Sequence, residues 1–384
     1  MKILHVISSV YKEGGGTSEV VPRLCRAQQE AGHQVVIATV DPDCEVSETA
    51  RAAFAAGVVH RAWPHWRFPS AVACSPGFSK GISALVRAAD IVQLHGLWQS
   101  PGWIAAAECR RQKKPYVMMT HGFLEPERLK ISKWKKRLAA FCFDRRNLKS
   151  AKAIVATSES EARGIRQYGL TNPIHIMPIG IDLEPFLPPI PHKGKTLLYF
   201  SRITPIKGLD MLAEAWANLG VGVGVGVGVG VGGRGRGGED WKLLLVGPDD
   251  RGYTEEMKKL YAAKCPPGSY EFRGPVFGAE KYKLLASVDA MVLPTRNENW
   301  SIAVAEGMAA GLPVVCTKGA PWSCLGENWV DISVEGIEAG LRRILSASDE
   351  ERAAVGAANR VWVTQNLDWG SIAKKLVDFY VKAC

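Results

Sequence analysis

Residues 4–40 read LHVISSVYKEGGGTSEVVPRLCRAQQEAGHQVVIATV. A short apolar run, Leu4–Ser8, leads into a Gly-rich turn; a helical pattern follows from Ser18 to about Ala31, Gly32 closes it, and Val35–Val40 is the next apolar run. A helix between two strand-length runs carries the chain back along the sheet, so the two strands point the same way. This strand–loop–helix–strand unit is the building block of a parallel sheet. Its turn holds Gly14-Gly15-Gly16. Glycines there let a backbone approach a ligand without a Cβ clash, and the helix N-terminus beyond favours an anion. Gly16 is followed by Thr17-Ser18-Glu19, so the dinucleotide fingerprint is not satisfied and a plain turn is the alternative.

The alternation continues outward through Ile91–Leu94, Tyr116–Thr120, Ile154–Thr157 and His175–Pro178. The Pro-rich stretch Pro185–Pro191 then interrupts both helix and ladder. A second series follows: Leu197–Phe200, Lys242–Val246, Tyr270–Phe272, Ala290–Leu293 and Pro313–Cys316, with helical patterns between. In the tail, Ile372, Leu376, Val377, Tyr380 and Val381 are spaced as one helical face. The expected fold class is α/β, with two parallel-sheet domains. The expected bounds are 1–185, a linker at 186–194, a second domain at 195–365 and a C-terminal helix within 366–384. A Gly-Val alternation over Gly220–Gly238 ends in a stretch containing Arg234 and Arg236. Glycine loses so much backbone entropy on ordering that a loop is expected there.

With 384 residues, 22% charged and 47% hydrophobic, the chain is of globular composition, and two domains match its length. No apolar run approaches the ~20 residues of a membrane span, and the first ten residues are too short for a signal peptide. Disordered, fibrous, integral-membrane and secreted classes are therefore not expected. The nine cysteines are dispersed, odd in number and contain no Cys-x-x-Cys pair, which points to free thiols in a reducing cytoplasm. The net charge of +10 is uneven: residues 110–152 hold 14 basic and 3 acidic groups.

Two stretches carry chemistry. Ser201-Arg202-Ile-Thr-Pro-Ile-Lys207-Gly208 follows the strand Leu197–Phe200, at the carboxyl end where open α/β sheets bind ligands. Arg202 and Lys207 converging from one loop suit a diphosphate, the guanidinium as a fork and the ammonium as a point charge. One cation ~4 Å from a phosphate charge contributes on the order of 4 kcal/mol at an effective dielectric near 20. A solvated surface loop is the alternative. Pro294-Thr-Arg-Asn-Glu298-Asn-Trp300-Ser301-Ile302-Ala-Val-Ala-Glu306-Gly-Met-Ala-Ala-Gly311 follows Ala290–Leu293, with a helix expected from near Ser301 to Gly311. The amides of Trp300, Ser301 and Ile302 would point out of that helix start, where a phosphate can sit. Glu306, one to two turns in, is placed to accept two ribose hydroxyls, and Glu298 in the loop can reach the sugar beyond the phosphates.

The Glu298-x7-Glu306 pattern, the Arg202…Lys207 loop, Gly15-Gly16, Thr120-His121-Gly122 and Pro178-Ile-Gly180-Ile181-Asp182 occur in the same order as in retaining glycosyltransferases of family 4, the large GT-B group, which the chain resembles over nearly its whole length. The resemblance implies two Rossmann-like domains facing a central cleft, with the donor on the C-terminal one and the last helix crossing back to the first. It implies that Arg202 and Lys207 hold the diphosphate, Glu306 the ribose and Glu298 the donor sugar. His121 would line the reacting sugar, Gly15-Gly16 would close over the phosphates, and the backbone at Arg273-Gly274 would read the base. Three places depart from the family pattern: Trp300-Ser301 stands for the usual Phe-Gly, Ile179 for Asn, and Gly247-Pro248-Asp249 for Gly-x-Gly.

In such a reaction the diphosphate leaves with negative charge while the sugar ring turns positive. Fixed donors aimed at the leaving oxygens lower that barrier without reorganisation. No metal and no cofactor are expected, because no His/Cys cluster suggests one. The donor, a GDP- or UDP-sugar, is a substrate. The resemblance implies retention at the anomeric carbon, with no nucleophile evident and His121 the candidate base.

Ile131, Trp134, Leu138, Phe141 and Leu148 form one helical face, with Lys133, Lys135, Lys136, Arg137, Arg145 and Arg146 around it. A core-facing helix with a solvated basic side is one reading. Contact with anionic lipid, at roughly 1 kcal/mol per basic residue, is the other, and it suits a lipid-linked acceptor. The aromatic spacing does not suit nucleic acid. The expected function is therefore hexose transfer onto a glycan acceptor of lipid-linked surface polysaccharide synthesis (lipopolysaccharide, O-antigen or capsule). The expected place is the cytoplasm, at the inner face of the cytoplasmic membrane for such an acceptor. The rivals are a nucleotide-sugar epimerase on the same fold and a non-enzymatic basic binding protein.

Overall fold

The computed structural model describes residues 1–11, 16–40, 45–64, 72–124, 129, 134, 139–191, 195–220 and 241–383. It divides into two compact units, Met1–Gly180 with Trp369–Cys384, and Ile181–Asp368.

The first unit runs β1 (Lys2–Val6), α1 (Gly16–Glu30), β2 (Gln34–Thr39), α2 (Glu48–Ala55), β3 (Val59–Ala62), α3 (Pro76–Ala88), β4 (Ile91–His95), α4 (Ser100–Gln112), β5 (Tyr116–Met119), α5 (Arg145–Ser150), β6 (Ala153–Ala156), α6 (Glu159–Gln167) and β7 (Ile174–Ile176). The sheet order is β3-β2-β1-β4-β5-β6-β7, and every neighbouring pair is parallel. β4, β5 and β6 are buried at every residue, because helices cover both faces of a parallel sheet. Ser47, Ser75 and Ser158 start α2, α3 and α6, each side chain accepting an amide of the first turn.

The second unit runs β8 (Lys195–Phe200), α7 (Leu209–Leu219), β9 (Trp241–Val246), α8 (Tyr253–Lys264), β10 (Tyr270–Arg273), α9 (Gly278–Ala286), β11 (Ala290–Leu293), α10 (Ile302–Ala309), β12 (Val314–Thr317), β13 (Trp329–Val330), α11 (Val334–Ser346) and α12 (Asp349–Asn366). Its sheet order is β10-β9-β8-β11-β12-β13, again with parallel pairs. The order reverses between β8 and β11, the topological switch point at whose carboxyl edge open α/β sheets bind ligands. The last helix, α13 (Trp369–Ala383), belongs to the first unit. Tyr380 donates its hydroxyl to Gln93 Oε1 on β4, and Phe379 stacks on His175 of β7 at 4.4 Å.

The divide differs from the expected linker at 186–194. The chain passes between units at Gly180/Ile181 and returns at Asp368/Trp369. The Pro-rich stretch packs along the second unit: Ile190 donates its amide to Ala286 O at 2.7 Å, and Phe186 is buried with its ring edge-on to Tyr282. Proline kept these residues out of a ladder but did not keep Phe186 out of the core, while Leu187 and Ile190 stay exposed. At the crossing, a Cβ on Gly180 would come within 2.4 Å of the Trp369 indole, which requires glycine there. The Gly-Val stretch after Gly220, with Arg234 and Arg236, lies outside the described residues. No described helix is long and apolar enough to cross a membrane.

Candidate functional site

Three strand-end loops meet at the carboxyl edge of the second sheet. After β8, Arg202 is exposed and Pro205–Lys207 form a single 3-10 turn that buries Lys207. Gly208, at φ +69°, then turns the chain into α7. A Cβ at that position would lie 2.1 Å from Pro294 O, so glycine is what lets the loops after β8 and β11 touch. Arg296 ties them together, its amide donating to Ile206 O at 2.8 Å and its guanidinium gripping Asp210 in a fork at 2.8 and 2.6 Å. The loop after β12 closes the set: Glu298 donates its amide to Gly319 O at 2.7 Å. A Cβ on Gly319 would lie 2.1 Å from Thr295 O.

This scaffold brings Lys207 and Glu298 together: the ammonium donates to Glu298 Oε2. The lysine side chain is 7% exposed and the carboxylate 24%. Burial first, and the Arg202 guanidinium second, pull the Lys207 ammonium down to about 8. The carboxylate in contact with it acts in the opposite direction and keeps it charged at neutral pH.

α10 begins at Ile302 behind Ser301, which takes φ +71° and ψ 89° without capping the helix by its side chain. Glycine adopts that left-handed backbone freely and serine at a cost of about 1 kcal/mol, so the structure does not explain why serine stands here. The first ladder bond runs from Ala305 N to Ser301 O at 3.5 Å, so the amides of Trp300, Ser301 and Ile302 are not used inside the helix. Trp300 is buried, and its carbonyl accepts from Trp322 Nε1. Glu306, in the second turn, pairs with Lys281 of α9 at 2.6 Å, both largely buried. Lys281 was absent from the sequence reading; nothing in its neighbourhood distinguishes it, and only packing of α9 beside α10 reveals it. Arg273 ends β10 exposed, its guanidinium on Glu271 at 3.0 Å, and is not joined to either carboxylate of the site.

In the first unit His121 follows β5 in a left-handed conformation, φ +51°. Its neighbours are pinned by the buried Glu161, which accepts from Thr120 Oγ1 at 2.6 Å and Gly122 N at 2.5 Å with one oxygen, and from Thr157 with the other. Burial pulls His121 down to about 4, against the opposing pull of the Glu161 charge, so the ring is neutral at pH 7. His121 Nε2 lies 3.0 Å from His95 Nδ1. Gly16 opens α1 and is exposed, while Gly15 lies outside the described residues.

Lys133, Lys135, Lys136 and Arg137 of the basic segment also lie outside the described residues. Arg145 and Arg146 are exposed on α5. The expected single apolar face does not hold among the described positions: Leu148 is fully buried, whereas Trp134 is 68% and Phe141 87% exposed. A π-helical turn at Ala140–Asp144 changes the residues per turn and breaks the 3.6 period.

A model of glycosyltransferase family 4 matches residues 14–185, and one of glycosyl transferases group 1 matches residues 194–347. A GDP-mannose:cellobiosyl-diphosphopolyprenol alpha-mannosyltransferase of Xanthomonas oryzae pv. oryzae is 22% identical over 398 residues, covering 99% of this chain and 96% of its own. A GDP-mannose-dependent alpha-(1-6)-phosphatidylinositol monomannoside mannosyltransferase of Mycobacterium tuberculosis is 30% identical over 250 residues, 58% of this chain and 60% of its own. Among solved structures, Anabaena HepE in complex with UDP and glucose superposes with a TM-score of 0.72 at 16% identity, covering 100% of both chains. Sucrose-phosphate synthase of Thermosynechococcus elongatus gives 0.68 at 17%, covering 99% and 98%. These structural likenesses establish a shared fold of two Rossmann-like parallel-sheet domains.

Proposed function

We propose that this chain, a hexosyltransferase that belongs to glycosyltransferase family 4 and the group 1 glycosyl transferases, moves its hexose from a nucleotide-diphosphate sugar to a glycan acceptor with retention and without a metal. The observation that carries the donor side is the buried Lys207 ammonium held against Glu298 at the β8/β11 reversal, beside amides not used by α10. Arg202, Lys207 and those amides are assigned to the diphosphate. As the anomeric C–O bond breaks, its electron pair passes to the leaving oxygen, where the two cations meet the growing charge. Glu298 is assigned to the donor sugar and offsets the positive charge that develops on the ring. Glu306 is assigned to the ribose, with Lys281 holding its carboxylate. Arg273-Gly274 is assigned to the base by its backbone, Gly15-Gly16 to the phosphate side, and His121 to the reacting sugar.

For the acceptor we propose a lipid-linked glycan of surface polysaccharide synthesis. The Xanthomonas relative is named for a diphosphopolyprenol acceptor, and the Mycobacterium relative for a phosphatidylinositol one. Exposed Trp134, Phe141 and Phe143, with Arg145 and Arg146 beside them, suit the headgroup layer of an anionic bilayer at the cytoplasmic face. The deciding experiment is a thermal-shift panel of GDP, UDP and their hexose conjugates, followed by transfer to a lipid-linked disaccharide. One nucleotide series should raise the melting temperature by mass action, and its sugar should be transferred with the anomeric configuration kept. No shift with either series at millimolar concentration refutes the donor site. An isomerised sugar formed without acceptor refutes transfer in favour of epimerisation.

A further inference from the structure

Three imidazoles from neighbouring strands of the first sheet stand in file. His5 lies on β1, His95 ends β4, and His121 follows β5. Gln28 of α1 closes the inner end: His5 Nε2 is 2.8 Å from Gln28 Oε1. His5 Nδ1 is 2.9 Å from His95 Nε2, and His95 Nδ1 is 3.0 Å from His121 Nε2. Gln28 and His5 are fully buried and His95 nearly so. Burial first, and then the neighbouring rings for His95, hold all three imidazoles well below their ordinary range. None is charged at neutral pH.

A neutral imidazole has one N–H and one lone pair. In a file of neutral rings each N–H must therefore meet a lone pair, and the whole file points one way. An amide oxygen only accepts, so the proton on His5 sits on Nε2 and its Nδ1 accepts from His95 Nε2–H. His95 Nδ1 in turn accepts from His121 Nε2–H. The outcome at the outer end is a His121 whose Nδ1 is a lone pair. Rotating the amide would reverse every member, giving three Nδ1–H rings. The rings are coupled, and the polarity at His121 is set by a glutamine two imidazoles away.

We infer that Gln28, His5 and His95 are positioning residues that lock His121 in its Nε2–H tautomer and so present Nδ1 as a hydrogen-bond acceptor for a substrate hydroxyl. The assignment of that hydroxyl rests on the transferase reading above; the tautomer does not. A wrong tautomer inverts donor and acceptor at the substrate, which places the effect in the reaction step more than in donor binding.

The test is a long-range proton–nitrogen spectrum of the full chain carrying nitrogen-15 histidine. His5, His95 and His121 should each be neutral and protonated on Nε2 from pH 8 to pH 6. One ring on Nδ1, a mixed set, or a charged ring at pH 7 overturns the relay. In Gln28→Met the file loses its terminus, so both tautomers should populate at His121. The kcat of transfer should fall in proportion to the Nε2–H fraction lost, about twofold for an even mixture, while the donor KM is unchanged. A pure Nε2–H set with unchanged kcat in a folded Gln28→Met overturns the role of Gln28. The wild-type spectrum decides the relay even where that variant does not fold. If no nucleotide sugar is turned over while the wild-type rings are all Nε2–H, the relay stands and the substrate reading falls.

Discussion

Replacing Glu298 by Gln removes a charge and almost no volume, so its effect isolates the ion pair with Lys207. That lysine side chain is 7% exposed and the carboxylate 24%. Breaking a fully buried pair costs roughly 3–5 kcal/mol, because one charge is left without compensation. With one partner a quarter exposed, about 2–3 kcal/mol is the expected loss for the unliganded variant. For a unit of this size that corresponds to roughly 5–10 °C in melting temperature. A bound nucleoside diphosphate supplies the missing anion. The increment on adding saturating GDP or UDP, whichever the panel selects, should therefore be larger in Glu298→Gln than in the wild type, and the two liganded proteins should melt close together. The loss should also shrink with rising pH. Lys207 already titrates near 8 through burial and Arg202, and without the carboxylate it falls further below its unfolded value. Across that window the unfolded chain binds more protons, so stability of the variant rises with pH. Differential scanning fluorimetry at pH 6.5 and 8.5, with and without nucleotide, measures all three terms. Equal melting of both unliganded proteins, or equal ligand increments, would refute the charge-exchange reasoning. Transfer itself should fall strongly in the variant, since nothing then offsets charge on the sugar.

Glu306→Ala should weaken nucleoside diphosphate binding by roughly tenfold or more in calorimetry, the worth of hydrogen bonds to a charged group; unchanged affinity would remove Glu306 from the ribose. Ser301→Gly should be more stable to denaturant than Ser301→Ala by about 1 kcal/mol, because both lose the hydroxyl and only glycine relaxes φ +71°. His5 and His121 titrate near 4 when folded and near 6.5 when unfolded, so their stabilising contribution is complete above pH 6.5 and is lost as the pH falls toward 4. Between pH 6.5 and 5 the loss should be about 2 kcal/mol per ring, seen as an acid-side drop in urea midpoint that His5→Gln reduces. Asp144 titrates near 6 because it is buried, with Oδ1 on Trp103 Nε1 and Oδ2 without a partner. Raised above its unfolded value, its charged form destabilises the native chain at higher pH. Asp144→Asn should gain on the wild type between pH 4 and 7, by up to about 3 kcal/mol, in the same urea series.

The central strands were legible because a parallel sheet buries both faces of each strand, and the sequence there runs apolar without alternation. β11 is as expected, and β4, β5, β6, β8, β9 and β12 differ by a few residues at their ends. Of the edge strands, β7 and β10 were legible to within a few residues, but β3 and β13 were not. β3 is mostly exposed and β13 has two residues, so neither carries a continuous apolar run. The Pro-rich stretch misled for another reason: proline predicts the absence of a ladder, not the absence of packing. At the site, residue types at strand ends could be read, since Arg202, Lys207, Glu298 and Glu306 all lie where turn chemistry and helix starts place them. Their partners could not. Lys207 meets Glu298 across 91 positions and Lys281 meets Glu306 across 25, and such pairing exists only once the elements pack. The histidine file likewise needs three neighbouring strands to bring successive rings 90 and 26 positions apart into line.

The two ion pairs answer a problem that a diphosphate site poses before its ligand arrives. Cations strong enough to neutralise a leaving group are costly to bury alone. Here Lys207 waits against Glu298, and Glu306 waits against Lys281, so each buried charge has an opposite neighbour in the unliganded protein. Arg202 remains exposed and adds one positive charge beside the two ion pairs. In the proposed reaction the diphosphate would take Lys207, leaving the Glu298 carboxylate to face the sugar carbon as it turns positive. The exchange is worth most at the transition state, where both the leaving oxygens and the ring are most charged, and least in the ground state, where the lysine is already satisfied. On that proposal a paired lysine suits catalysis better than a bare one, because Glu298 holds back part of its attraction for the diphosphate in the ground state and the attraction grows as the bond breaks.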